Sequence, residues 1–213
     1  MLSQTIERLE GLVPLDRVFV ITNAEQRKAV LETCPALLPE RVIGEPEGRD
    51  TAAAVGLAAL LVGKEGGDAS FALLPADHVI EDAEGFRATL EAAFDASEVA
   101  DVLVTVGIKP TFPSTGYGYL QRGRQLDLPV SSCLSQVDRF VEKPDLETAR
   151  AYLEDGTYFW NAGMFVWRPS VILAEIDRLT PKLALGLSEL KTGWDNSGDL
   201  EQAMATIYPS LEK

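Results

Sequence analysis

One carboxylate follows directly after an apolar run. Asp77 lies in Leu74-Pro75-Ala76-Asp77-His78, at the end of the run over residues 70–75. Open α/β sheets bind ligands beyond the carboxyl ends of their strands, and a carboxylate there can hold Mg²⁺ against a triphosphate. Capping of the next turn is an equally good interpretation of Asp77. His78 suits proton transfer, but a packed structural role is the simpler interpretation for a single histidine.

A second candidate is the loop over residues 44–51. Glycines and Pro46 fix its path, and a helix of small residues follows, so its N-terminal amides can approach an anion closely. Arg49 adds a planar donor fork, and Glu45 and Asp50 offer carboxylates to a guanine edge. The alternative is a capped turn with Thr51 as the N-cap residue of the helix.

Three further segments carry polar groups beside glycines, aromatics or strand ends. Thr115-Gly116-Tyr117-Gly118-Tyr119 suits the close approach of a sugar or base, or a Gly-rich hairpin entry. Phe140-Val141-Glu142-Lys143-Pro144 offers a carboxylate for sugar hydroxyls and an ammonium for a phosphate, or a surface charge pair. Trp160-Asn161-Ala162-Gly163 offers an amide that can read hydroxyls, or a loop asparagine that turns the chain.

The elements that must position these groups alternate between strand and helix. Apolar runs predict strands at residues 17–22, 42–43, 70–75 and 101–108, with helices at 24–33, 51–62 and 84–97 between them. This rhythm predicts right-handed βαβ units. The second half predicts strands at 118–121, 136–142 and 163–167 in a mixed sheet with an inserted lobe, then a helical tail. We expect one domain over residues 1–213.

Composition narrows the function classes. The 213 residues carry 33 acidic and 19 basic side chains, a net charge of -14, which repels nucleic acids and anionic membranes. An enzyme of phosphates here needs Mg²⁺ and a local cluster of donors. Cys34, Cys133 and His78 have no zinc-ligand spacing, and two thiols without a disulfide framework fit a reducing cytoplasm. We see no signal peptide and no apolar stretch that could span a bilayer.

In this order, the motifs resemble the catalytic domain of bacterial mannose-1-phosphate guanylyltransferases, which are sugar-1-phosphate nucleotidyltransferases. The matching segments include those above together with Gly107-Ile108-Lys109-Pro110, and they cover nearly the whole chain. The resemblance implies a Rossmann-like, three-layer α/β fold with a mixed, mostly parallel central sheet. It implies that GTP and mannose-1-phosphate give GDP-mannose and pyrophosphate, with Mg²⁺ as cofactor.

The resemblance also implies roles for single residues. Glu45, Pro46, Arg49, Asp50 and Thr51 would bind the nucleotide, and Asp77 would hold Mg²⁺ and, with Lys143, act in catalysis. The sugar phosphate would be bound by Gly118, Glu142, Lys143, Asn161 and Gly163. We therefore expect the loops that carry Glu45, Asp77, Glu142 and Asn161 to converge on one cleft. A homodimer stays open.

The chain departs from the family pattern at three points. The first strand with its Gly-rich phosphate loop and a second metal-binding Asp have no counterpart, so we expect a catalytic domain truncated at both ends. Asp50 stands where Asn is commoner. Two alternatives follow: a non-catalytic nucleotide-sugar-binding relative without the triphosphate loop, or a nucleotidyltransferase for another base or hexose-1-phosphate.

Overall fold

The computed structural model describes residues 1–128 and 134–212; Cys133 lies outside these ranges. Helices within them are Leu2–Glu7 (α1), Arg27–Thr33 (α2), Thr51–Gly66 (α3), Ala83–Val99 (α4), Leu146–Asp155 (α5), Pro169–Leu179 (α6), Pro181–Ser197 (α7) and Leu200–Ile207 (α8). Strands are Val20–Asn23 (β1), Val42–Glu45 (β2), Phe71–Leu73 (β3), Val104–Ile108 (β4), Tyr119–Gln125 (β5), Ser135–Val141 (β6) and Tyr158–Trp167 (β7). None of the described helices is long and apolar enough to cross a membrane.

The strands form two sheets. β1 and β2 pair in parallel, with Asn23 opposite Glu45 at their carboxyl ends. The other five strands form a sheet organised around β7, in which every described pair is antiparallel. Both β3 and β4 pair with Phe165 and Val166, so they lie on opposite edges of β7. β4 and β5 both pair with Trp160, so they too lie on opposite edges of β7. β5 therefore lies on the same edge as β3.

This arrangement confirms the α/β class with both parallel and antiparallel pairs, but the expectation of a mostly parallel sheet is wrong for the five-stranded sheet. β3 and β4 do point the same way, because both run antiparallel to β7. They are not neighbours, since β7 enters between them in the reverse direction. The continuous apolar run at residues 70–75 thus reflects burial on both faces rather than parallel neighbours.

Helices cover both faces of β7. Phe71 and Trp167 pack into a core with α3, α6 and α7. The next residues on each strand, Ala72 and Val166, face the opposite way and pack with α4. Helix, sheet and helix therefore form three layers. α3 and α7 approach closely, because a Cβ atom at Gly56 would lie 2.3 Å from Leu187 Cδ1.

Two local boundaries differ from the sequence-based predictions. Asp50, in an extended conformation, is the N-cap residue of α3, and Thr51 is the first helical residue. Asp50 is of a residue type favoured at this position, but its side chain makes no cap hydrogen bond, so its extended backbone alone marks the boundary. Asn161 lies within β7 rather than in a loop, because its backbone N–H donates to Gly118 O at 2.8 Å.

Candidate active site

The loop over residues 45–51 leaves the carboxyl end of β2 and enters α3. Gly44 is required at the start of this loop, because a Cβ atom there would lie 2.9 Å from Ala24 Cα. Pro46, Asp50 and Thr51 are exposed, whereas the Arg49 side chain is only 10% exposed. The loop thus offers the α3 amides to solvent beside a largely buried guanidinium.

Two side-chain contacts hold this loop, one from Tyr208, 163 residues away, and one within the loop itself. The hydroxyl of Tyr208 donates to Glu45 Oε1 at 2.5 Å, and Arg49 Nη2 donates to Glu47 Oε2 at 3.3 Å. Burial of the Tyr208 ring, together with its hydrogen bond to Glu45, raises the pKa of Tyr208 well above its ordinary value. Tyr208 therefore stays protonated and remains a donor at neutral pH.

Asp77 lies four residues after the end of β3, and its side chain is 83% exposed. His78 Nε2 lies 3.8 Å from Asp77 Oδ1. Arg8 holds the backbone beside Asp77, because its Nη1 and Nη2 both donate to His78 O at 3.2 Å. Arg8 is buried, and Phe86 packs against its guanidinium. The carboxylate is thus free toward solvent on a backbone that is held in place.

The predicted sugar-phosphate residues Gly118, Glu142 and Lys143 meet where β5 begins and β6 ends. A Cβ atom at Gly118 would lie 2.7 Å from Glu142 Oε2, so a larger residue here would force the carboxylate to move. Lys143 N donates to Tyr117 O at 3.2 Å, and Lys143 Nζ lies 3.4 Å from Glu142 Oε1. Lys143 has a left-handed backbone, with φ of 43°. Such strain in a non-glycine residue is typical of functional sites.

Asn161 and Gly163 join the same group from β7. Asn161 Oδ1 accepts from Thr105 Oγ1 and from Gly163 N, each at 3.1 Å. These bonds fix the amide so that its Nδ2 group, a donor of two protons, is the remaining polar end. Gly163 has φ of 65°, a left-handed conformation that glycine adopts without strain.

Strand register relates Asp77 to this group. On one edge of β7, β3 pairs with residues 165–167 and β5 with residues 158–160. The stretch of β7 between them carries Asn161 and Gly163. The residues that follow β3 run toward this stretch, and the residues that precede β5 lie beside it. We call this stretch the β7 gap. Asn161 and Gly163 lie in this gap, Gly118 lies beside it, and Glu142 and Lys143 lie beside Gly118. Asp77 follows β3 on the same edge, four residues after the last pair.

The loop over residues 45–51 is not joined to the β7 gap in the same way. Across residues 1–128 and 134–212, no hydrogen bond or ion pair connects this loop with Asp77 or with the Gly118 group. A cavity of about 600 Å³ lies elsewhere, between α1 and the end of α2, with Ile6, Leu12 and Leu37 in its wall. One cleft that holds all four predicted loops therefore stays a prediction.

The sequence-based reasoning missed three residues that support the site. Tyr208, Arg8 and Thr105 contact Glu45, His78 and Asn161 across 163, 70 and 56 residues. Tyr208 and Arg8 are both buried, and the residues around them predict only helix and turn. A polar group inside an apolar helical pattern is the only signal that could have singled them out.

The described residues offer a divalent cation one candidate protein ligand, the carboxylate of Asp77. No group of three His, Cys, Asp or Glu side chains in the described part of the chain could hold a metal. Mg²⁺ keeps several waters and takes one or two carboxylates plus substrate phosphates. The single exposed carboxylate of Asp77 matches that mode and does not match an all-protein cage.

A strand-end carboxylate and a Glu-Lys-Asn group belong to the five-stranded sheet, and the α3 N-terminus follows the two-stranded sheet. Such features are typical of α/β proteins that bind anionic ligands at strand ends. The family model for nucleotidyl transferases matches residues 1–199. The chain belongs to the nucleotidyl transferase family.

Named relatives narrow the resemblance. The chain is 44% identical over 193 residues to the xanthan biosynthesis protein XanB of Xanthomonas campestris pv. campestris, covering 90% of this chain and 40% of that protein. It is 43% identical to the mannose-1-phosphate guanylyltransferase of Escherichia coli K12, covering 99% of this chain and 42% of that protein. The chain thus spans about two fifths of the length of these relatives.

A solved structure agrees with the fold. A protein of Thermus thermophilus, described as a mannose-1-phosphate geranyltransferase, superposes with a TM-score of 0.81 at 34% identity. The match covers 97% of this chain and 57% of that chain. The helix layers and the mixed strand pairing are therefore those of a nucleotidyl transferase domain.

Proposed function

We propose that this protein transfers a guanylyl group from GTP to mannose-1-phosphate, giving GDP-mannose and pyrophosphate. The observation that carries the proposal is the gathering of Gly118, Glu142, Lys143 and Asn161 around the β7 gap, in a chain of this family. Relatives named mannose-1-phosphate guanylyltransferase, at 40–43% identity, support the choice of base and sugar. Residues 1–213 would act as one catalytic domain in the cytoplasm.

In this reaction an oxygen of the sugar phosphate attacks the α-phosphorus of GTP. A new P–O bond forms, the bond between the α-phosphorus and the bridging oxygen breaks, and pyrophosphate leaves with that electron pair. Lys143 would pair with the sugar phosphate, Glu142 would accept from sugar hydroxyls, and the Asn161 amide would donate to a ligand oxygen. Asp77 would hold Mg²⁺, which neutralises phosphate charge when bound. Positioning and charge neutralisation do most of the work.

The nucleotide would bind over the loop at residues 45–51. Glu45, Pro46, Arg49, Asp50 and Thr51 present two carboxylates, a guanidinium and the first amides of α3. A helix N-terminus favours anions, and the guanidinium offers a planar donor fork. Support for this part comes from the exposed α3 N-terminus and the buried Arg49 beside it.

A substrate panel tests the proposal. The purified protein is incubated with Mg²⁺ and each pair of GTP, ATP, dTTP or UTP with mannose-1-phosphate or glucose-1-phosphate, and nucleotide sugars are separated by chromatography. We expect GDP-mannose and equimolar pyrophosphate from GTP with mannose-1-phosphate. A preference for another pair, or the absence of any nucleotide sugar together with no binding of GDP-mannose, contradicts the proposal.

A further inference from the structure

One buried side chain outside the predicted site contacts the loop over residues 45–51, which we call the nucleotide loop. Tyr208 opens the 3₁₀ turn Tyr208–Ser210, directly after α8, and is fully buried. Its hydroxyl donates to Glu45 Oε1 at 2.5 Å, across 163 residues of sequence. A buried hydroxyl needs a hydrogen-bond partner, and here that partner is a carboxylate of the loop rather than a group of the core.

Apolar packing fixes the position of this hydroxyl. The ring of Tyr208 lies in the core cluster with Leu190, Met204 and Leu211. Leu211 packs tightly against α7, because a Cβ atom at Gly186 would lie 2.4 Å from Leu211 Cδ2. The C-terminal helices therefore hold the ring, and the ring fixes Glu45 Oε1 at the start of the loop.

Arg49 belongs to the same loop, four residues after Glu45. Nine tenths of the side chain is buried, yet Arg49 Nε has no hydrogen-bond partner in the described residues. Glu45 is only partly buried, so its Oε2, which has no hydrogen-bond partner in the described residues, keeps contact with solvent. A carboxylate oxygen that is held in place at a strand end and open to solvent can accept a hydrogen bond from a ligand.

We propose that Tyr208 is a positioning residue for the nucleotide: it holds Glu45 so that Oε2 faces the donors of a purine base. The inference rests on the proposed function, because it assigns a role within the same nucleotide loop. Tyr208 does not touch the nucleotide and acts only through Glu45.

The test compares Tyr208→Phe with the unchanged protein by titration calorimetry, using GDP and, separately, mannose-1-phosphate. Tyr208→Phe keeps the ring and removes one donor to a charged acceptor, which belongs to the stronger class of hydrogen bonds, so we expect about tenfold weaker GDP binding. Mannose-1-phosphate binding stays unchanged. Tyr152→Phe is the matched control, because Tyr152 is also buried but packs on Tyr158, away from the loop.

A double variant separates positioning from packing. If Tyr208 acts through Glu45, then Tyr208→Phe causes no further loss of GDP affinity in a Glu45→Gln background. A full additional loss in that background overturns the inference, as does equal weakening of GDP and mannose-1-phosphate binding. Thermal unfolding of each variant shows whether the folded fraction is the same.

The remaining outcomes separate the two proposals. GDP binding by the unchanged protein with an unaffected Tyr208→Phe variant contradicts the positioning role alone. Failure of the unchanged protein to bind GDP or GDP-mannose contradicts the proposed function and this inference with it.

Discussion

The loop over residues 45–51 and the β7 gap are held in place by different means. In the loop, the orientation of Glu45 depends on one hydroxyl from Tyr208, 163 residues away. At the gap, Lys143 and Asn161 are placed by backbone hydrogen bonds to Tyr117 and Gly118. One region therefore depends on distant side chains, and the other on the pairing of neighbouring strands. The first is sensitive to removal of a group, whereas the second is sensitive to added bulk or a changed backbone.

The largest effect is expected at Asp77, the carboxylate that we propose would hold Mg²⁺ against both substrates. Asp77→Asn removes the charge that would hold Mg²⁺, and metal stabilisation of phosphate charge contributes several kcal/mol, so we expect turnover to fall by at least about 100-fold. Pyrophosphate release at saturating substrates, over a range of Mg²⁺ concentrations, measures this. Unchanged Mg²⁺-dependent turnover would show that the metal assignment is wrong.

The next largest effect tests added bulk at the gap. Gly118→Ala puts a Cβ atom where Glu142 Oε2 lies, so the carboxylate has to move. Loss of one hydrogen bond to a charged group corresponds to about a tenfold rise in the KM for mannose-1-phosphate, with the KM for GTP unchanged. Gly116→Ala is the control, because its Cβ would lie 3.8 Å from Ser114 Oγ, an ordinary contact. Equal effects of the two substitutions would refute this role of Gly118.

A substitution at Lys143 tests the left-handed backbone conformation of that residue. Asn tolerates the left-handed conformation better than Lys, so Lys143→Asn relieves strain of about 1 kcal/mol while it removes the phosphate-binding charge. We expect a higher free energy of unfolding and weaker mannose-1-phosphate binding in the same variant. Urea denaturation and calorimetry check the two quantities. Reduced stability would show that the φ of 43° carries no strain.

The smallest effect lies far from both regions, where Lys64 of α3 and Lys191 donate to Asp195 of α7. Lys191 and then Lys64 lower the pKa of the Asp195 carboxyl to about 2. Because the folded-state pKa lies below the unfolded value of about 3.9, the stabilisation is present above about pH 4 and is lost as pH falls toward about 2. All three side chains are solvent-exposed, so Asp195→Asn should lower the melting temperature only slightly at neutral pH.

Salt provides the control for this pair. At about 1 M salt the Debye length is only about 3 Å, so the difference between Asp195→Asn and the unchanged protein should disappear. A difference that persists at high salt, or that grows at low pH, would contradict an electrostatic origin.

Local patterns predicted the strand ends, and the order of strands required the structure. The apolar run before Asp77 and the small-residue helix after Arg49 were visible in sequence, because burial and propensity act locally. The insertion of β7 between β3 and β4 is a non-local pairing, for which neighbouring residues give no signal. The sequence allowed Asn161 to be a loop residue, but its backbone hydrogen bond to Gly118 keeps it in β7, and the left-handed Gly163 lies where the pairing with β4 shifts register.

The supporting side chains were the least predictable part of the site. Arg8 and Tyr208 contact residues that only the complete fold brings near them. Their residue types suit many buried or exposed roles, so type and spacing alone assign neither. The predicted ligand-facing residues were easier to find, because glycines, prolines and charges cluster at strand ends.

A crystal structure with bound GDP-mannose tests the central claim most directly, since one ligand spans both regions. The account predicts guanine against residues 45–51 and the mannosyl phosphate against Glu142, Lys143 and Asn161 at the β7 gap. Binding of the ligand in the cavity between α1 and α2, or guanine density away from the loop while the sugar occupies the gap, would contradict it.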